Sequence, residues 1–266
     1  MKKDFFPLIA MLLGIGIIFF GIFDSGGTIM MFISISSLLI VLVGSLCALA
    51  IVYPLKDLKK IPKLFLILTS DQKYDLVEMV NQFEQLSMQA KREGILSLEN
   101  KLPDIEDEFV VNGLQLVIDG SEAEEIRRAL NTELDALEGR HEHLQGVLAK
   151  WGSLAPGFGM LGTVIGLIVM LGDLGAGDPE SLGAGMATAL ITTFYGSFFQ
   201  NLIFDPVTEN LRQKTAKEIM FKGIILEGVV MIQSGVNPRV VKDTLATYLS
   251  PEEKLNFNVE TEKEYV

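Results

Sequence analysis

Residues 30–53 read MMFISISSLLIVLVGSLCALAIVY, a run without a single charge, and residues 54–63 follow at once as PLKDLKKIPK. A helix rises 1.5 Å per residue, so about 20 apolar residues cross the roughly 30 Å hydrocarbon core of a bilayer. The run is long enough, and Lys56, Lys59, Lys60 and Lys63 mark the end at which it leaves. Working outward, FFPLIAMLLGIGIIFFGIF at residues 5–23 precedes it, separated by Asp24-Ser25-Gly26-Gly27. Two further runs, about 152–172 and 182–204, are rich in Gly, Ala, Ser and Thr. A signal peptide would resemble the first run in length, but no small-residue cleavage site leads from it into a polar domain. The expected fold is an all-α membrane protein with four transmembrane helices and a helical cytoplasmic domain between the second and third.

The 266 residues are 49% hydrophobic and 21% charged, so the two populations are segregated along the chain. Of 22 Lys and Arg, two precede the first run, twelve lie between Lys56 and Lys150, and eight follow from Arg212. The loops 24–29 and 173–181 hold none. By the positive-inside rule both termini and the long middle segment are expected on the cytoplasmic side of the membrane. A net charge of −12 argues against nucleic acid or anionic lipid as the main partner, and protein partners with basic patches fit better. The single cysteine, Cys47, excludes a disulfide framework and is expected as a small buried hydrophobe.

Four segments result: 1–53, the first two spans and a short periplasmic turn; 54–150, a cytoplasmic helical domain; 151–206, spans three and four; and 207–266, a cytoplasmic tail. Leu64-Leu68, Leu76-Val80-Phe83, Leu114-Val117 and Ile126-Leu130-Leu134-Leu137 recur at three or four, the helical period. Ser70 and Asp71 are expected as caps, as is Ser121 with Glu124 and Glu125 in the turn behind it. Gly235 should stop the tail helix, Asn237-Pro238 should start a short one to about Leu249, and disorder is expected after Pro251.

The most informative feature is an absence. No Asp, Glu, Lys, Arg or His lies in the middle of any span, although ion-coupled membrane proteins usually place such a group there. The spans offer hydroxyls only: Ser153, Thr163, Thr188, Thr192, Thr193, Tyr195 and Ser197. If ions pass, a partner helix must supply the carboxylate. Ala155-Gly159, Gly162-Gly166 and Gly185-Ala189-Thr193 put small residues on one face, which lets helices approach closely, either within the subunit or toward a partner. His141 and His143 are two apart and diverge on a helix, so no metal site is expected. Trp151 is expected as an interfacial anchor. The Gly-rich turns lack the strand-turn-helix setting of a nucleotide loop. Nothing here points to an enzyme or a cofactor.

The stretch Leu154-Ala-Pro-Gly-Phe-Gly-Met-Leu-Gly-Thr-Val-Ile-Gly-Leu167, with Met186-Ala-Thr-Ala-Leu-Ile-Thr-Thr-Phe-Tyr-Gly-Ser197 and Phe204-Asp-Pro206, resembles the last two spans of the MotA/PomA flagellar stator family. Ala90-Lys-Arg-Glu-Gly-Ile-Leu-Ser-Leu-Glu99 is similar to that family's rotor-facing motif. The related ExbB and TolQ energisers share the core but have three spans. The resemblance implies a ring of five copies around a dimer of a MotB-like protein whose membrane Asp binds the ion, with H+ the expected ion and Na+ the alternative. It implies Thr163 and Thr193 as the leading contacts on the ion path, with Thr192, Thr188 and Tyr195 behind them. It further implies Pro156 and Pro206 as coupling points between ion binding and movement, and Lys91, Arg92 and Glu99 as contacts to the rotor switch protein FliG. An ExbB/TolQ-type energiser of an outer-membrane process and a non-conducting membrane scaffold are the alternatives.

Overall fold

Uninterrupted apolar sequence with a proline in its first turn forms the first span, Phe6–Asp24, and Gly26 at φ 77° turns the chain behind it. A computed structural model of the chain describes residues 2–71, 74–174, 179–254 and 257. The second span is helical over Ile35–Val52 and begins later than Met30. Residues Ile29–Phe32 form a separate 3₁₀ turn, and the Ser34 hydroxyl caps the span by accepting from the Ser37 N–H at 3.3 Å. Ser34 holds an extended backbone conformation, as a capping serine does.

The helix that begins after Ser121 runs unbroken into the third span, over Ala123–Leu174. The fourth span starts a helix at Pro179–Phe198, widens to a π-helix over Phe199–Phe204 and resumes as Asp205–Gln233. Pro206 explains the widened turn. It has no N–H for the carbonyl four residues back and its ring would press on that carbonyl, and a turn of larger radius relieves both.

The described residues fall into two units, one drawn from Met1–Gln72 and His141–Lys214, the other from Lys73–Arg140 and Thr215–Val266. The first holds the four spans and also takes in the helix Ile61–Leu68, which buries Ile61, Leu64 and Leu68 with Leu49, Val147, Leu148, Phe204 and Leu211. Lys214 closes that helix, its ammonium donating to the carbonyls of Ile67 (2.7 Å), Leu68 (2.9 Å) and Ser70 (2.7 Å). Ser70 and Asp71 cap no helix. Their backbones pair antiparallel with Lys3 and Lys2 in a two-residue ladder, and the next helix, Leu76–Glu93, is capped by Asp75, whose carboxylate accepts from the Glu78 N–H at 3.0 Å.

The second unit packs large apolar side chains. Phe83, Phe109, Leu114, Ile126, Leu130, Ile224, Ile225 and Leu245 are almost wholly buried together. Gly228 leaves room for the Phe83 ring, which stands where a Cβ would be, 2.5 Å away. Arg127 clamps Glu227 through both guanidinium nitrogens, and Lys242 reaches Glu84 at 2.7 Å. The tail thus folds onto the middle segment. Helix Ala123–Leu174 begins two residues after Ser121, and Glu122, whose N–H meets the Glu125 carboxylate at 3.4 Å, stands before its first residue. Gly235 at φ 65° ends the tail helix, and Asn237 caps Pro238–Leu245. Residues 251–254 are helical and Phe257 is buried in the core, so order continues past Pro251. The remainder of the stretch expected to be disordered, 255–256 and 258–266, lies outside the described residues.

Cys47 departs from its expected burial, and Trp151 has partners on other spans. Cys47 is exposed on the outer surface of its span, because its neighbours Ser45 and Leu49 take the inward face of that helix. Trp151 stands well inside a continuous helix rather than at its end. Its indole N–H donates to the Ser45 hydroxyl at 2.9 Å and its ring lies 4.6 Å from that of Phe204, so it locks spans together.

Candidate ion-conduction site

Spans three and four touch along backbone. A Cβ on Gly159 would lie 2.8 Å from the Thr192 carbonyl oxygen, one on Gly166 2.6 Å from that of Gly185, one on Gly185 2.8 Å from that of Gly166, and one on Gly196 2.9 Å from that of Ala155. Gly162 receives the Thr192 side chain. The seam is therefore Ala155, Gly159, Gly162 and Gly166 against Gly185, Ala189, Thr192 and Gly196. In lipid no hydrophobic force drives helices together, and close backbone approach supplies the dispersion contact that does.

The seam turns Thr192 inward, where it is fully buried and donates to the backbone of its own helix. Thr188 donates likewise to Ala184 at 3.0 Å. Thr193, one residue on, points outward at the edge of the seam. Its hydroxyl meets that of Thr163 at 2.5 Å, and Ala189 O lies 3.0 Å from Thr163 Oγ1 and 3.3 Å from Thr193 Oγ1. Two hydroxyls carry two protons: one bridges the pair and the other serves a backbone carbonyl, leaving lone pairs and a rotatable donor at the surface.

Ser197 apart, that surface is otherwise apolar. Met186, Leu190, Thr193 and Ser197 are exposed at helical spacing along span four, beside Met160 and Val164 on span three, with Met160 70% and Leu190 66% accessible. A hydroxyl pair in the middle of an apolar face is the arrangement that a helix bearing a single carboxylate would complement. Hydrogen bonds to a charged group contribute about 1.5–3 kcal/mol each, against a cost of several kcal/mol for placing a carboxylate in low dielectric.

Tyr195 stands apart from this pair. Its phenol donates to the Phe32 carbonyl and accepts from the Ser34 N–H at 3.2 Å, so it pins the turn that leads into span two. Pro156 lies deep inside the helix Ala123–Leu174, so the carbonyl of Gly152 lacks its usual donor there. Lys91 and Arg92 are exposed in the last turn of Leu76–Glu93, and Glu99 is exposed on the 3₁₀ helix Ile95–Asp104. Gly94, at φ 89°, breaks the helix between them, so the three charges do not share one helix face. The turn is held by Gln89, donating to the Ser97 carbonyl at 2.9 Å, and by Ser97, donating to that of Gly94 at 2.7 Å.

Sequence reasoning missed Gly196, which continues the small-residue spacing from Ala189 by seven, and it missed Asp57. Asp57 is buried between the His143 ring, 2.8 Å away, and Lys60, 3.4 Å away. The His143 hydrogen bond holds its carboxyl below the ordinary 3.8, with Lys60 acting in the same sense and burial opposing. The clue was a lone carboxylate among four lysines. Among the described residues no cluster of three metal-ligating side chains occurs.

Residues 101–223 match the MotA/TolQ/ExbB proton channel family. The chain is 40% identical over 227 residues to the motility protein A of Borreliella burgdorferi, spanning 85% of this chain and 86% of that one. It is 38% identical over 261 residues to the motility protein A of Treponema pallidum, spanning 98% and 100%. Its fold superposes on the structure of C. jejuni MotAB with a TM-score of 0.85 at 27% identity, over 93% of this chain and 96% of that one.

Proposed function

This chain belongs to the MotA/TolQ/ExbB proton channel family and is a multi-pass flagellar stator subunit; from that premise we propose that it conducts only when a MotB-like partner helix brings a carboxylate to Thr163 and Thr193. One observation carries the reading: the two hydroxyls pair on an exposed apolar face of spans that own no Asp, Glu, Lys, Arg or His in their interior. The carboxylate accepts the hydroxyl proton now given to backbone, which stabilises its charged form. Binding of the ion frees the donor to return to Ala189. The subunit is thus a channel and motor part and not an enzyme, and the ion is cargo.

The family includes TolQ and ExbB, but the count of four spans, with a leading pair ahead of the shared core, and motility-protein matches along most of the chain favour the stator over an energiser. The test is coexpression with a MotB-like partner in a strain lacking its own stator. Thr193→Val should abolish swimming while Thr193→Ser preserves much of it, and the chain alone in vesicles should pass no cations. Swimming by the valine variant at the parental speed would sink the proposal.

The finer reading follows the same premise: five copies around a partner dimer in the bacterial inner membrane, both termini cytoplasmic, protons as the coupling ion with sodium the alternative, Pro156 and Pro206 as the points where span movement is taken up, and FliG engaged through Lys91, Arg92 and Glu99. Swimming that persists without sodium and stops with a protonophore supports protons, and the opposite pattern assigns sodium. Reversing the charges of Arg92 and Glu99 should cut torque without altering membrane insertion; unchanged torque in both variants removes the rotor contact.

A further inference from the structure

Only Tyr53 and Pro54 separate the second span from a short amphipathic stretch, the helices Leu55–Leu58 and Ile61–Leu68. Its inward face is accounted for: Ile61, Leu64 and Leu68 are buried, and the carboxylate of Asp57 is turned in toward His143. Its outward face combines two kinds of side chain that do not usually share a water-facing surface. Leu55 is 66% exposed, Leu66 71% and Ile67 43%. Lys56, Lys59 and Lys63 are exposed among them, and no carboxylate among the described residues lies within salt-bridge distance of these three. Lys63 and Leu66, three apart, share one side of the helix Ile61–Leu68, and Lys59 stands in the turn just before it.

A single exposed leucine needs no explanation. Three large apolar groups interleaved with three uncompensated lysines, in a protein of net charge −12, do. Leu55 is three residues beyond Val52, the last helical residue of the span, so it lies within about 10 Å of the end of that helix along the chain. That is headgroup depth. A helix lying in the interface buries apolar side chains at the acyl boundary and directs lysines to phosphates.

We propose that residues Leu55–Ile67 form an anionic-lipid site, with Leu66 and Ile67 inserted at the acyl boundary and Lys56, Lys59 and Lys63 binding the headgroup phosphates of the leaflet into which span two emerges. The proposal goes beyond ion conduction and stands whether or not ions pass through the spans. Its chemistry selects phosphatidylglycerol-like lipids over zwitterionic ones, because the second needs no net cation. Each lysine near an anionic surface multiplies occupancy by about fivefold, so the three together act strongly.

The test uses the full chain in nanodiscs of phosphatidylcholine mixed with phosphatidylglycerol, which offer both faces the same lipid and so do not depend on orientation. Lipids retained through purification are counted by native mass spectrometry. The unmodified chain should retain phosphatidylglycerol preferentially. The combined Lys56→Gln, Lys59→Gln and Lys63→Gln variant should lose that preference by about tenfold or more, and the corresponding Arg variant should keep it. In a Cys47→Ser background, a spin label at Leu66→Cys should be reached by oxygen and not by a water-soluble nickel chelate. An undiminished preference in the Gln variant or a lost one in the Arg variant overturns the proposal. So does a label open to the chelate, which means water, or closed to both reagents, which means a second copy or another protein covers the face. The label decides alone if the Gln variant fails to insert.

Discussion

The membrane unit and the second unit of this chain solve packing in opposite ways. In the first, the contact between spans three and four is made by glycine backbone at Gly159, Gly166, Gly185 and Gly196, with Thr192 entering against Gly162 and Met170 against Gly185. In the second, the contact is made by Phe83, Phe109, Leu130 and Ile225, with glycine entering where it makes room for a large side chain, Gly228 for the Phe83 ring and Gly113 for Val229. The difference is one of solvent. Water rewards the burial of large apolar groups, about 25 cal/mol for each Å². Lipid does not, so the span helices gain by bringing their backbones together and leaving leucine outside.

The comparison can be broken most severely at Gly166. A leucine there would put its Cβ 2.6 Å from a carbonyl oxygen that cannot move aside, so Gly166→Leu should eliminate the folded membrane unit, read as loss of protein extractable in monodisperse form. Recovery of normal yield would mean that the seam is not what holds these spans. Phe83→Ala should cost about 3–5 kcal/mol in the second unit alone, seen by hydrogen exchange of the full chain as lost protection in Leu76–Glu93 and Asp205–Gln233, with spans one and two unchanged.

Acid should divide the units as well. The Asp57 carboxyl is held below 3.8 in the folded protein, so its contribution is complete above that pH and is lost as pH falls through the lower folded value. Exchange protection around residues 55–60 should drop in that acid window, and His143→Phe, which removes the main interaction lowering the carboxyl, should shrink the drop. The smallest effect is expected at Arg127 and Glu227, both 36% accessible, where solvent screens the pair: Arg127→Met should change stability by no more than about 1 kcal/mol by the same measurement.

The sequence made some of this legible and hid the rest for definite reasons. Span lengths, the stop at Gly235 and the cap at Asn237 are local facts, fixed by composition and backbone preference. Which side of a span faces inward is not local. Thr192 and Thr193 are neighbours with the same chemistry, yet one is sealed in the seam and the other presents a hydroxyl to the outside, because the face is chosen by Gly162 on another helix. Trp151 and Tyr195 are illegible locally for the same reason: each has partners distant in the chain, Tyr195 in Phe32 and Ser34, Trp151 in Ser45 and Phe204. Asp57 was passed over because its partner, His143, lies 86 positions away.

The glycine seam has a consequence for how such a subunit can change over generations. Slots that accept no side chain tolerate almost no mutation, so the frame made by Gly162, Gly166 and Gly185 is fixed one letter at a time. Met186 and Leu190, on the outward side of span four, are 51% and 66% exposed and are freer to drift. Adaptation to a new companion helix therefore has a place to happen that leaves the frame untouched, and the two threonines sit on the border between the invariant part and the adjustable one.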